Sequence, residues 1–286
     1  MPATQTPPLN NAPVGIFDSG VGGLSVLQHI RTQLPHESLC YFADSGFAPY
    51  GEKSEADIMQ RTLFAARHLL QQGVKAIVVA CNTATAAAIS TLRTHYPELI
   101  IIGVEPGLKP AASLTKTACV GVLATTSTLA SQKYQLLSDQ LQQATHIQFI
   151  RQACPGLVTQ IELGDLDGPI TRALLNTYLQ PLTDAKADVI VLGCTHYPFI
   201  ADTIRQVAAE QGNPAIQIVD TGLAISRQLQ RLLEQHQLQA APQTPLPLHC
   251  MTTGSTAKLQ FVLSKLLHFQ PDEYQIQEID CNFAAP

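Results

Sequence analysis

The 286-residue sequence lacks the patterns that mark membrane proteins and nucleic-acid-binding proteins. Its 17 Lys and Arg residues are outnumbered by 22 Asp and Glu and form no cluster, which argues against a nucleic-acid-binding face. The longest unbroken apolar runs have only a few residues, as from Ala76 to Cys81, whereas a membrane span needs about 18. Hydrophobic residues make up 45% of the chain and charged residues 14%, a composition that predicts a soluble protein with a sizeable core.

The sequence also lacks the signs of secretion and of a disulfide or zinc framework. Residues 1–13 contain neither a positively charged start nor an apolar stretch, so they are predicted to be a disordered arm rather than a signal peptide. The seven cysteines include no C-x-x-C pair, and the histidines show no metal-ligand spacing. We therefore expect a cytoplasmic protein with reduced thiols and no metal.

Short β-rich runs alternate with longer amphipathic segments along nearly the whole chain. Strands are predicted at 14–17, 39–42, 76–80, 100–104, 120–124, 147–151, 189–192, 216–219 and 246–251. Helical periodicity is found at 24–34, 58–70, 84–95, 170–182, 224–233 and 257–267. This alternation predicts an α/β fold with mainly parallel sheets and helices on both faces. Such sheets bind ligands beyond the carboxyl ends of their strands.

Two segments of the sequence resemble each other. AIVVACNTAT (76–85) and VIVLGCTHYP (189–198) both lead from a hydrophobic strand through a small residue into a cysteine and then a predicted helix. We interpret them as two related halves, each with a thiol at the exit of a buried strand. The Pro- and Gly-containing segment 104–109 and the segment 220–222 are the natural crossings between the halves. The predicted domains are therefore 1–105 with 220–286, and 106–219.

A glycine-rich turn follows the first predicted strand. It reads Asp18-Ser19-Gly20-Val21-Gly22-Gly23, and its three glycines let the backbone approach a ligand closely at a helix start that favours an anion. The spacing differs from the dinucleotide fingerprint, and no P-loop lysine follows. The turn is either a tight strand–helix connection with an N-cap or part of a site, and the carboxyl group of Asp18 favours a site.

Cys81 and Cys194 are the strongest candidates for chemistry because they occur as a pair. A single cysteine at a strand end is usually a small core residue. Here both cysteines are followed by short hydrogen-bonding side chains, and both are predicted to lie at a helix start, where the pKa of a thiol falls. His196 is close enough in sequence to relay a proton at Cys194, and Asp18 is expected to serve Cys81 in the same way.

Two facing thiols and a single reactive thiol indicate different reactions. If one thiolate removes a proton from a carbon and a thiol on the opposite face returns one, the stereocentre inverts. A single nucleophilic cysteine with a histidine base would instead indicate acyl transfer. The loop Ala48-Pro49-Tyr50-Gly51-Glu52-Lys53-Ser54 is a turn by composition and is either a plain loop or a substrate lid.

Taken together, the motifs resemble those of the bacterial glutamate racemase family, within the aspartate/glutamate racemase superfamily. The matching segments are DSGVGGLSV from Asp18, APYGEKS from Ala48, VACNTAT from Val79, GVEPGLKPA from Gly103, GVLAT from Gly121 and LGCTHYP from Leu192. They occur in the family's order and cover nearly the whole chain. The resemblance implies two α/β domains related by a pseudo-twofold axis, with the active site in the cleft between them.

The resemblance also implies roles for individual residues. Cys81 and Cys194 match the two acid/base cysteines, and Asp18, His196 and Glu162 match groups that assist them. The sequence around Glu162 lacks the family's usual pattern. The positions that hold the amino acid match Asp18, Ser19, Tyr50, Gly51, Asn82, Thr83, Thr195 and His196.

On this resemblance, the expected function is cofactor-independent racemisation of L-glutamate to D-glutamate for peptidoglycan biosynthesis. The expected partners are L- and D-glutamate, with UDP-muramyl-alanine as an activator of some relatives that carry an N-terminal extension. The expected assembly is a monomer or a homodimer. The alternatives are an aspartate or hydantoin racemase, a non-catalytic two-lobed amino-acid-binding protein, and a single-cysteine hydrolase.

Overall fold

The computed structural model describes residues 9–280, in which strands and helices alternate as predicted. The strands are β1 (Val14–Asp18), β2 (Leu39–Ala43), β3 (Ala76–Val79), β4 (Ile100–Gly103), β5 (Cys119–Ala124), β6 (Gln148–Ala153), β7 (Val189–Gly193), β8 (Gln217–Val219), β9 (Leu248–Thr252) and β10 (Tyr274–Glu278). The helices are α1 (Leu24–Gln33), α2 (Glu55–Gln71), α3 (Asn82–His95), α4 (Leu108–Leu114), α5 (Thr126–Ala130), α6 (Gln132–Thr145), α7 (Leu157–Glu162), α8 (Pro169–Asp184), α9 (Ala201–Glu210), α10 (Gly222–Gln235) and α11 (Thr256–Phe261).

The strands form two parallel sheets. The first has the order β10-β9-β2-β1-β3-β4 and the second the order β6-β5-β7-β8. In the first sheet Phe17 is in register with Phe42 and Val79, so β1, β2 and β3 all end at the same edge. Because the strands are parallel, the residues that follow them are brought together there.

The two sheets repeat one topology, which confirms the predicted fold of two α/β halves. The order β2-β1-β3-β4 in the first sheet matches β6-β5-β7-β8 in the second. Cys81 follows the third strand of the first half, and Cys194 follows the third strand of the second. The first sheet takes its strands from 14–103 and 248–278, and the second from 119–219. The domain boundaries proposed above remain predictions, and this distribution of strands is compatible with them.

Each sheet is covered on both faces, as near-continuous apolar strands require. In β1, Ile16 packs into the core beneath α1 and α10, whereas Phe17 packs into the core beneath α2 and α3. In β7, Ile190 and Val191 face two different cores in the same way. No helix within residues 9–280 is long and apolar enough to cross a membrane.

Three features differ from the expectations. Of the predicted disordered arm, residues 1–8 lie outside the described residues, whereas Leu9–Asn11 form a short 3-10 helix. The carbonyl of Asn10 accepts a hydrogen bond from Lys75. Strand β10 was not predicted, and the predicted helix at 257–267 ends as an α-helix at Phe261 and continues as a π-helical turn.

Candidate active site

The first thiol lies at the junction of β3 and α3. Cys81 is the N-cap of α3, and its Sγ accepts a hydrogen bond from the backbone N–H of Ala84 at 3.4 Å. The thiol in turn donates to Oγ of Ser19, which follows β1, at 3.5 Å. The predicted position of Cys81 at a strand exit and helix start is confirmed.

The second thiol has a different local structure. Cys194 follows β7, but the next residues form a 3-10 helix, Tyr197–Ile200, and α9 begins only at Ala201. Pro198 has no N–H to donate to the Cys194 carbonyl, which accepts instead from Tyr197 three residues on. The prediction of an α-helix directly after Cys194 is therefore wrong.

Cys81 and Cys194 line one small cavity, although they come from different sheets. We call it the central cavity; its lining is Ser19, Pro49, Tyr50, Gly51, Cys81, Asn82, Thr83, Thr125, Val158, Cys194, Thr195 and His196. Its volume is about 10 Å³, close to the minimum that holds one water molecule. The site is therefore closed, and an amino acid can occupy it only if the surrounding residues move apart.

Asp18 connects the two halves behind the central cavity. Its Oδ1 accepts a hydrogen bond from Oγ1 of Thr195 at 2.9 Å, and its Oδ2 accepts from the N–H of Gly20 at 2.9 Å. The side chain is fully buried, and this burial raises the pKa of Asp18 above its ordinary value. Asp18 therefore contacts the residue next to Cys194, and its charge also acts on Cys81, beside which it was expected to lie.

His196 lies between a thiol and a carboxylate. Its Nδ1 is 3.8 Å from Sγ of Cys194, and its Nε2 is 2.7 Å from Oε1 of Glu162. Burial alone would lower the pKa of His196, but the hydrogen bonds to Cys194 and Glu162 outweigh burial, and its pKa lies well above the ordinary value. Burial would raise the pKa of Glu162, but the hydrogen bond and charge of His196 leave it lowered. The geometry therefore favours a His196⁺–Glu162⁻ pair.

The glycines of the turn after β1 make room for this pair. A Cβ at Gly20 would lie 2.0 Å from Oε1 of Glu162, and one at Gly22 would lie 2.3 Å from Nδ1 of His196. The N–H of Val21 donates to Oε1 of Glu162 at 2.8 Å. The anion that this turn contacts is thus a carboxylate of the protein itself, approached as closely as the glycines allow.

The pKa of the Cys81 thiol is raised, whereas the position of Cys81 at a helix start predicted a lowered pKa. Burial, followed by the nearby charge of Asp18, raises the pKa of the Cys81 thiol to about 12. The contacts from Ser19 and Ala84 act in the opposite direction but are outweighed. The prediction that the helix start lowers this pKa is wrong because desolvation in the closed site has the larger effect.

A buried ionic network lies behind the loop that carries Tyr50 and Gly51. The Tyr50 hydroxyl donates to the carboxylate of Asp44, which also accepts hydrogen bonds from Arg61 at 2.5 and 2.8 Å and from Thr253 at 2.7 Å. Tyr50 lines the central cavity, and its hydroxyl is held by Asp44. Asp44 and Arg61 were not identified from the sequence as part of the site, because an isolated charged residue forms no recognisable sequence motif.

One polar group in the central cavity has no hydrogen-bond partner among residues 9–280. The side-chain amide nitrogen of Asn82 is buried and unsatisfied. A buried donor without a partner costs free energy unless a ligand or water satisfies it. Asn82 is also the first residue of α3, where the backbone N–H groups have no partners within the helix. This side of the cavity is therefore suited to a carboxylate.

Comparison with known proteins shows the family. A family model described as Asp/Glu/Hydantoin racemase matches residues 19–229. The chain is 50% identical over 258 residues to the glutamate racemase of Ectopseudomonas mendocina, a match that covers 90% of this chain and 95% of that protein. The chain belongs to the Asp/Glu/hydantoin racemase family. It is accordingly an enzyme, an isomerase, and the resemblance seen in its motifs is confirmed.

Solved structures of the family share the fold. The glutamate racemase of Francisella tularensis, in complex with D-glutamate, has a TM-score of 0.80 and 30% identity and covers 96% of this chain and 99% of its own. Escherichia coli glutamate racemase, in complex with L-glutamate and the activator UDP-MurNAc-ala, has a TM-score of 0.79 and 31% identity. It covers 94% of this chain and 98% of its own.

The residues named from the family's motifs fall into two groups. Those that line the central cavity are Ser19, Tyr50, Gly51, Cys81, Asn82, Thr83, Cys194, Thr195 and His196. Asp18 and Glu162 lie behind Thr195 and His196 instead. Thr125 also lines the cavity and was missed, although it follows β5 as Ser19 follows β1, so the internal repeat contained the signal.

Proposed function

We propose that the chain interconverts L- and D-glutamate with Cys81 and Cys194 as two alternating acid/base groups. The observation that carries the proposal is that the two thiols line one closed cavity from opposite sheets. A thiolate on one side removes the α-proton, and the thiol on the other side delivers a proton to the opposite face. The cysteine that acts as base in one direction acts as acid in the other.

Removing a proton from Cα beside a carboxylate requires stabilisation of the developing negative charge. The unsatisfied amide of Asn82, which lines this cavity, and the backbone N–H groups at the start of α3 are the donors we propose for this role. Because the closed cavity excludes water, each of these hydrogen bonds is stronger than it would be in solution. These groups therefore supply the stabilisation in our proposal, which includes no cofactor and no metal.

The two halves of the site are proposed to differ in how they handle protons. At Cys194, His196 holds a proton 3.8 Å from the sulfur, and Glu162 supports the protonated imidazole. At Cys81, the raised pKa keeps the resting thiol protonated and ready to act as an acid. In our proposal Asp18 acts through Thr195, to which it is hydrogen-bonded, and keeps that hydroxyl oriented.

The substrate is proposed to be glutamate, held by Ser19, Gly51, Asn82, Thr83 and Thr195 together with the ring of Tyr50. Support comes from the Francisella and E. coli relatives, whose structures contain D- and L-glutamate. We further propose a cytoplasmic role in supplying D-glutamate for peptidoglycan. Activation by UDP-muramyl-alanine is proposed by analogy with the E. coli enzyme and its activator. A monomer or a homodimer remains the expectation for the assembly.

Circular dichroism of each glutamate enantiomer with the purified protein tests the proposed function. The signal of L- or D-glutamate is expected to decay to zero, while L- and D-aspartate change much more slowly. Adding UDP-muramyl-alanine separates an enzyme that needs the precursor from one that does not. A glutamate signal that stays constant for hours with and without the precursor would contradict the proposal. Faster decay of the aspartate signal would instead indicate that the enzyme is an aspartate racemase.

A further inference from the structure

A large groove adjoins the closed central cavity. It lies between α3 on one side and α5 with the start of α6 on the other, and its volume is about 770 Å³. We call it the access groove; its lining includes Lys53, Thr83, Ser90, Arg93, Ser127 and Lys133. A cavity of this size accommodates a whole amino acid, in contrast to the 10 Å³ beside the thiols.

A thin wall of hydroxyl groups separates the access groove from the central cavity. Thr83 lines both spaces, and its Oγ1 lies 3.0 Å from Oγ1 of Thr125 and 3.4 Å from Oγ1 of Thr128. Ser127 closes the wall further, because its Oγ donates to the carbonyl of Gly51 at 2.7 Å. Every one of these contacts joins α5 and its N-cap to residues connected to the first sheet, so all of them break together if α5 moves away.

The charge of the access groove is opposite to that of the chain as a whole. The chain carries a formal charge of −5, which repels an amino acid with a net negative charge. The groove nevertheless presents Lys53, Arg93 and Lys133 against a single lining acid, Glu55. Glu105, outside the lining, lies 3.5 Å from Lys133, so the excess of positive charge rests mainly on Lys53 and Arg93. A cluster of one sign in a cleft raises the local concentration of ligands of the other sign.

We infer that anionic amino acids reach the thiols through the access groove and that α5, held by the hydroxyl wall, is the element that opens. Lys133 and Arg93 attract the substrate, and the bond between Ser127 and Gly51 keeps the site closed between encounters. This inference deepens the proposed function and rests on it for the identity of the substrate. Access to the thiols can be measured without any racemisation.

The experiment compares the alkylation of Cys81 and Cys194 by iodoacetate and by iodoacetamide, followed by peptide mass spectrometry. Iodoacetate is an anion and iodoacetamide is neutral, and the two are similar in size. The ratio of their alkylation rates, divided by the same ratio for a free thiol in solution, therefore reports how the route attracts or repels an anion. Saturating D-glutamate should protect both thiols. If the thiols are alkylated as described below but glutamate is not racemised, the inferred access route stands and the proposed function fails.

Three variants test the parts of the inference. Ser127→Ala removes one closing hydrogen bond and should raise both alkylation rates by about two- to tenfold. Ser90→Trp fills the groove and should lower both rates and kcat/KM for glutamate by about fivefold or more. The double variant Arg93→Gln/Lys133→Gln should lower only the iodoacetate rate, by about fourfold at low salt, with the difference vanishing at high salt.

Each variant has a matched control away from the groove. Ser264→Ala removes a hydroxyl that donates to a helix carbonyl, and Ser113→Trp adds an indole at an exposed position of α4. Lys186→Gln/Arg227→Gln removes two exposed charges. Wild-type rates in Ser90→Trp, or equal effects in Ser113→Trp, would overturn the route. An unchanged rate in Ser127→Ala would overturn the moving wall. An unchanged reagent ratio in the charge variant would overturn the electrostatic attraction.

Discussion

The substitution Glu162→Gln isolates the charge that supports His196. Oε1 of Glu162 lies 2.7 Å from Nε2 of His196 and 2.8 Å from the N–H of Val21, and a glutamine oxygen can accept at the same position. The side chains of the pair are 13% and 2% exposed, so water screens their interaction little. The variant therefore removes the negative charge and leaves the packing in place.

The expected effect follows from the difference between a charged and a neutral acceptor. A hydrogen bond to a charged group contributes about 1–2 kcal/mol more than one to a neutral group, so the pKa of His196 should fall by about one unit. Because Glu162 raises this pKa, its loss leaves the imidazole neutral at a lower pH. The alkaline limb of kcat/KM should therefore move to lower pH by about one unit, and kcat/KM at a pH above that limb should fall by up to about tenfold.

The assay is the pH dependence of kcat/KM in both directions of racemisation. Glu210→Gln is the matched control, because Glu210 is exposed and pairs with Arg172 far from the central cavity. Unfolding in urea should show that both variants remain folded over the pH range. An alkaline limb that stays in place in Glu162→Gln, or moves equally in the control, would refute the role assigned to Glu162.

Two further substitutions test the groups behind the central cavity. Arg61→Leu leaves the carboxylate of Asp44 buried without its cation and should lower the free energy of unfolding in urea by about 3–5 kcal/mol. Arg172→Leu breaks exposed ion pairs and should lower the free energy of unfolding much less. Equal losses of unfolding free energy in the two variants would contradict the conclusion that burial makes the Asp44–Arg61 pair important. Asp18→Asn should lower kcat by about tenfold or more with a smaller change in KM, because we expect the Thr195 hydroxyl that Asp18 orients to contribute most in the transition state. A change mainly in KM would mean that Asp18 supports substrate binding alone.

The sequence allowed the fold and the position of both thiols to be predicted, because their signals are local. Buried parallel strands are continuous apolar runs, and a strand that leads into a small residue and a cysteine is recognisable at Cys81 and at Cys194 alike. Strand β10 was missed because YQIQE is mostly polar and lies at the sheet edge, where one side is unpaired.

The parts that were missed depend on contacts between distant residues. The burial of Asp44 with Arg61, and the contact of Thr83 with Thr125, are set by how α2 and α5 pack, and no local pattern records them. The pKa of Cys81 was predicted with the wrong sign because the helix start is visible in the sequence and the closure of the cavity is not. Electrostatics at a closed interface follow from tertiary packing.

Deuterium incorporation at Cα tests the two-thiol mechanism most directly. In D2O, each enantiomer of glutamate should give a product that carries deuterium at Cα, while the substrate recovered early in the reaction still carries hydrogen. This asymmetry arises because the thiol that removes the proton is on the opposite face from the thiol that delivers one. Cys81→Ala and Cys194→Ala should each abolish product formation while D-glutamate still binds in calorimetry. Deuterium entering substrate and product at equal early rates, or full turnover in either variant, would contradict the mechanism.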